Sequence, residues 1–248
     1  FGEWIVVDDA TGDANLHTLQ QRWYVWAVST KQSENTWEFT HRVNADRLVI
    51  QMLPGLPAAY TKISRSYDWE VWIGDAVGVR MDVDYPGRPV RLVTSLIVHP
   101  KGEAAPEVRR VEDAGGTWVE SQLGEMVWTW VLPPLDAKNA PGVAPALNGT
   151  AGCLVRVQGK LTGYCLLNGT ELREQGQLLV AAPEPIYLEA DFASGKVMIQ
   201  STGEGQVAFY WPAAVSAVSA DGKPVAYRME DGLVTLPVKA GVHTLEIR

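Results

Sequence analysis

The side chains able to do chemistry in this chain are few and scattered. Four histidines occur, His17, His41, His99 and His243, and no two stand at metal-ligand spacing. Neither His-Glu-x-x-His nor Gly-x-Ser-x-Gly is present. The acidic stretch Asp8-Asp9, followed by Asp13, lacks EF-hand spacing and reads as an ordinary turn after a strand. No metal-ligating set is expected. The two cysteines, Cys153 and Cys165, flank a segment that turns at Gln158-Gly159-Lys160. Placing Gln158 opposite Lys160 sets Cys153 opposite Cys165, within reach of a disulfide. Two reduced core thiols fit the same residues, because free cysteine is among the most buried side chains. A nucleophilic thiol needs exposure and positive neighbours, and Arg156 and Lys160 are the cations within that hairpin.

Tryptophan is the informative excess. There are ten: Trp4, Trp23, Trp26, Trp37, Trp69, Trp72, Trp118, Trp128, Trp130 and Trp211. An indole face packs against the C–H face of a sugar ring, while polar neighbours bond its hydroxyls. Trp128 and Trp130 point to the same side of a strand, and Trp69 and Trp72 cannot share a side on one regular strand. The carbohydrate-contacting candidates are therefore Trp69, Trp72, Trp128 and Trp130, and at least one indole of the first half is expected to be exposed. Taken singly, each indole serves equally as core filler for a large sheet.

Strands must position these residues. Val77, Val79, Met81 and Val83 alternate with Arg80, Asp82 and Asp84, the pattern of a half-buried antiparallel strand. Pro89–Val98 is a long apolar strand closed by His99-Pro100. Turn pairs recur at Asn148-Gly149, Asn168-Gly169, Ser194-Gly195, Asp221-Gly222 and Asp231-Gly232, with short strands between them. No window sustains a helical period; 112–122 is the one place for a short helix, and Gly115-Gly116 argues against it. The expected fold is all-β: an antiparallel β-sandwich of stacked large sheets, then a small C-terminal sandwich or meander. The expected division is a Trp-rich sandwich region over 1–132, a Pro/Ala-rich connection over 133–149, and a meander over 150–248. Asn148-Gly-Thr150 and Asn168-Gly-Thr170 also match the glycosylation sequon, but their turn character needs no further assumption.

The net charge of −8 repels phosphate backbones, so nucleic acid is not an expected partner, and heavily sulfated glycans are disfavoured. No apolar run reaches the ~20 residues of a bilayer span, so no membrane partner is expected. The start at Phe1 suggests a processed or excised chain.

Three segments carry a resemblance: Ile5–His17, Gln21-Arg-Trp-Tyr24 and Pro89–Pro100. Together they resemble the C-terminal β-sheet domain of heparinase II/III-like polysaccharide lyases, in which a strand ending in Val-Val-Asp leads through a turn to a histidine and a Trp- or His-bearing strand. The phrases Asn168-Gly-Thr-Glu-Leu172 and Gly241-Val-His-Thr-Leu-Glu-Ile-Arg248 are similar to the close of such chains. The resemblance implies β-elimination of a uronate polysaccharide such as a glycosaminoglycan or alginate. A Tyr or His removes the C5 proton and another assists the leaving oxygen. In the family those residues, and the metal-binding histidines, lie on a helical domain or upstream of the Val-Val-Asp strand. No catalytic or metal residue is therefore carried over, and any metal belongs to that upstream segment, leaving no cofactor here. His17 matches a recurrent family position and joins the carbohydrate-contacting candidates. The implied partners are polysaccharide and a helical domain or second chain of the same enzyme. The implied location is periplasmic or secreted, and the chain alone is expected to be inactive.

Overall fold

The computed structural model describes residues 2–10, 18–25, 27–41, 46–69, 72–84, 87–100, 102–113, 116–135 and 147–248. Among them there is no helix, and all strand pairings are antiparallel. The chain divides into two compact units, 1–108 and 109–248.

The first unit contains β1 (Gly2–Ala10), β2 (Thr18–Val25), β3 (Ala27–Ser33), β4 (Thr36–His41), β5 (Arg47–Leu53), β6 (Ala59–Trp69), β7 (Trp72–Asp84) and β8 (Val90–His99). Five of them form a sheet in the order β1-β8-β5-β4-β3, and three form a second sheet, β2-β7-β6. One apolar core joins the two: Trp37, Phe39, Ile50, Met52, Val90 and Leu92 from the larger sheet meet Val79, Met81 and Val83 from the smaller. The expected period-two strand supplies the last three, because alternate residues of β7 point to one side. Residues 112–122, where a short helix was conceivable, hold strands instead, with 114 and 115 outside the described residues.

The second unit continues from β9 (Glu107–Asp113), whose first residues fall in unit 1. It contains β10 (Gly116–Leu123), β11 (Met126–Leu132), β12 (Leu147–Asn148), β13 (Ala151–Val157), β14 (Lys160–Glu174), β15 (Gln177–Asp191), β16 (Lys196–Ser201) and β17 (Gly205–Tyr210). It ends with β18 (Val218–Ala220), β19 (Lys223–Pro224), β20 (Arg228–Glu230), β21 (Leu233–Val238) and β22 (Gly241–Ile247). The main path runs β19-β18-β22-β16-β15-β14-β13-β11-β10-β9, and β17, β20 and β21 branch from β15. Long β14 and β15 change partners along their length, so the sheet folds over its own core. Leu154, Tyr164, Leu166, Leu188, Val197, Ile199, Phe209, Trp211, Val234 and Leu245 fill that core. Tyr164 is buried and donates its hydroxyl to Tyr210 O at 2.8 Å; Phe192 stands edge-on to Tyr164, Tyr210 and Trp211.

Two sequence expectations change here. The unit boundary lies at 108/109 rather than in 133–149. The reason is pairing: β11 is bonded to β13, so the sheet continues on either side of residues 136–146, which are outside the described residues. The Asn-Gly pairs at 148–149 and 168–169 are not hairpin turns. β12 and β13 both pair with β14, and Asn168 sits inside β14 with φ of 45° where the register shifts. The two Gly sites face each other so closely that a Cβ on Gly169 would lie 2.7 Å from Asn148 O, which is why both positions need glycine. Asp221-Gly222 and Asp231-Gly232 do turn hairpins, with positive φ at all four residues.

Candidate functional site

In an antiparallel ladder, directly opposed residues share a face. Trp128 is opposed to Ser121 and Val155; Trp130 is opposed to Val119 and Cys153. Both indoles therefore project from one face of β11, as their spacing requires, and it is the face away from Val131 and Leu154 of the core. Both are half-buried, and Val119 and Ser121 beside them are fully buried. This is not the open floor on which a sugar ring stacks. The Trp130 indole N–H is buried without a hydrogen-bond partner.

Trp69 and Trp72 prove to be register partners at the closing end of β6 and β7. The premise that they occupy one strand fails, because Trp69 ends β6 and Trp72 begins β7; their side chains lie outside the described residues. His17 also lies outside the described residues. Trp26 lies outside the described residues, and the other tryptophans divide by role. Trp37 and Trp211 are core residues at 1% and 6% exposure, and Trp23 and Trp118 pack against the cores. Trp4 is different: it is 56% exposed on β1, an edge strand. Its register partner is Leu96, and Val98, 37% exposed, follows on the same face of β8. The expectation of an exposed indole in the first half is met at Trp4, which the sequence reading did not single out. Trp4-Ile-Val-Val7 looks like any apolar strand; only its edge position exposes the ring.

A polar chain crosses the first unit. Gln21, buried on β2, donates Nε2 to Asp8 Oδ2 at 2.7 Å and accepts from Thr94 Oγ1 at 2.6 Å. Next to it, buried Arg91 grips Asp9 at two points, Nε to Oδ1 and Nη2 to Oδ2, both at 2.7 Å. Asp8 and Asp9 are thus occupied by protein donors, and Asp13 lies outside the described residues. Among the described residues no three His, Cys, Asp or Glu side chains gather as a metal cage.

Among the described residues, groups suited to proton abstraction are also not assembled. Burial raises the phenols of Tyr60, Tyr164 and Tyr187 above their ordinary value, and a hydrogen bond from Tyr187 to Glu189 Oε2 at 2.6 Å adds to the effect there. A raised phenol resists becoming the phenolate base. His99 is buried with both ring nitrogens unpartnered. His243 is bonded at Nδ1 to Asp221 and at Nε2 to the Lys239 carbonyl, a strand-linking role. Ser95 donates to Glu3 Oε1 at 3.0 Å, not to a histidine.

The chain matches no protein-family model and no curated protein.

Proposed function

We propose that this chain is the β-sandwich portion of a heparinase II/III-like polysaccharide lyase, one that contacts polysaccharide but does not itself carry out β-elimination. The observation that carries the reading is the Asp8–Gln21–Thr94 chain. Each of its three members comes from a different one of the three segments that resemble the family, and β1 and β8 are adjacent strands. Segments more than seventy positions apart thus meet through one hydrogen-bonded chain, buried at Gln21 and Thr94, as parts of one family motif should. The upward-shifted tyrosines and the occupied His243 support a non-catalytic role. The contact to sugar is assigned to the Trp4 indole, the most exposed of those described. A carbohydrate-binding module acting on its own is the alternative that the exposed Trp4 also favours.

Incubating the purified chain with a panel of uronate polymers and following the ultraviolet absorbance of unsaturated uronate separates the outcomes. Retardation by a polymer without absorbance growth supports the proposal. Turnover by the chain alone would overturn its non-catalytic part.

A further inference from the structure

The β13–β14 hairpin holds two thiols face to face. Cys153 and Cys165 are direct register partners, and both carry reduced thiols. Opposed residues in an antiparallel pair lie about 4.5–5.5 Å apart at Cα, inside the window a disulfide spans without backbone movement. The two thiols are not equivalent. Cys153 is buried at 6% exposure, with Trp130 as its other register partner; Cys165 is half-buried, with Glu189 as its other partner. A hydrogen bond from Cys153 is the largest influence on Cys165 and holds its thiol below the ordinary value, against opposing effects of burial and of Glu189. The charge of Cys165 is in turn one of the influences that raise the Tyr187 phenol.

We propose that Cys153 and Cys165 form a redox-responsive thiol pair that closes to a cross-strand disulfide by exchange with a small-molecule disulfide, Cys165 attacking first. The Cys165 thiolate attacks one sulfur of the small disulfide, breaks its S–S bond and releases one small thiol, which takes up a proton. The Cys153 thiolate then attacks Cys165 Sγ in the mixed disulfide and expels the second small thiol. Two protein thiols are oxidised and one external disulfide is reduced to two thiols, so electrons and protons balance. The order of attack follows from access: the half-buried sulfur meets the reagent, and the buried one resolves it from inside the sheet. Closure clips β13 to β14 next to the Trp130 position, independently of the carbohydrate reading.

The test titrates the folded chain with glutathione disulfide and maps thiols by alkylation and peptide mass spectrometry without reduction. The wild type is expected to lose both thiols together and to yield one crosslinked peptide pair containing Cys153 and Cys165. Cys153→Ser is expected to stop at a glutathione adduct on Cys165; Cys165→Ser is expected to accumulate adduct on Cys153 severalfold more slowly. Should either variant misfold by circular dichroism, the relative alkylation rates of the two thiols in the reduced wild type decide the order, with Cys165 the faster. An intermolecular dimer, a stable mixed disulfide on the wild type, or thiols that survive oxidant in the folded chain would each overturn the proposal.

Discussion

In residues 1–108 a hydrogen-bonded polar chain through Gln21 and Thr94 runs beside the apolar core that joins the facing sheets, whereas residues 109–248 close around a core of aliphatic and aromatic groups. The first unit buries Gln21, Arg91, Thr94, Ser95 and His99. In the second, the buried polar side chains are the small hydroxyls of Thr117, Ser121 and Thr129, and the Tyr164 hydroxyl bonds Tyr210 O. The difference teaches where sequence specificity resides. An apolar core tolerates exchange among similar shapes. A buried hydrogen-bonded chain does not, because each member left alone loses its solvation without replacement.

The comparison is broken most strongly in the apolar unit. Phe209 is fully buried, so Phe209→Ala removes an aromatic ring and leaves a cavity; the loss is about 3–5 kcal/mol. Denaturant unfolding followed by fluorescence is expected to show the 109–248 transition moving to lower denaturant. In the polar unit, Gln21→Leu strands the Thr94 hydroxyl, which is fully buried, while the exposed Asp8 carboxylate regains water. The expected loss is roughly 1–3 kcal/mol. Adding Thr94→Val removes the orphaned hydroxyl and is expected to restore part of it. If the double variant is instead the sum of two losses, the polar chain is not the linkage described.

A smaller effect concerns acid. Asp221 accepts from the Thr244 N–H, the largest influence, and from His243, and both hold its carboxyl below the ordinary value of 3.8. A depressed folded value adds stability above the unfolded pKa, and that stability is lost as pH falls through the folded pKa. The wild-type stability is therefore expected to decline from about pH 4 downward, and Asp221→Asn is expected to flatten that decline while lowering stability slightly at neutral pH. Thermal melts across this range check the slope; an unchanged slope in the variant contradicts the assignment.

The fold class was readable because turn pairs and alternating strands are local. The cysteine pairing was readable for a less direct reason. The turn is a two-residue one at Gln158-Gly159, with φ of 52° and 75°, so Val157 rather than Gln158 faces Lys160. A bulge between Val155 and Arg156 shifts the register by one and restores Cys153 opposite Cys165. Two one-residue departures cancel. The Gln175-Gly176 turn between β14 and β15 went unread, since glutamine is not the usual residue for the φ of 47° it adopts. The unit boundary was not readable because β11 pairs with β13 across a segment whose Pro and Ala content suggests a linker. Exposure of Trp4 depends on which strand ends the sheet, and nothing local in Trp4–Val7 encodes that.

The central claim is polysaccharide contact through an exposed indole. Affinity electrophoresis of the wild type and Trp4→Ala in gels containing alginate, unsulfated glycosaminoglycan or no polymer tests it most directly. Trp4 is surface-exposed, so the variant's stability should change by no more than about 0.5 kcal/mol. The expected result is retardation of the wild type by a uronate polymer and a marked loss of it in the variant. Equal migration of the wild type in every gel would contradict the account.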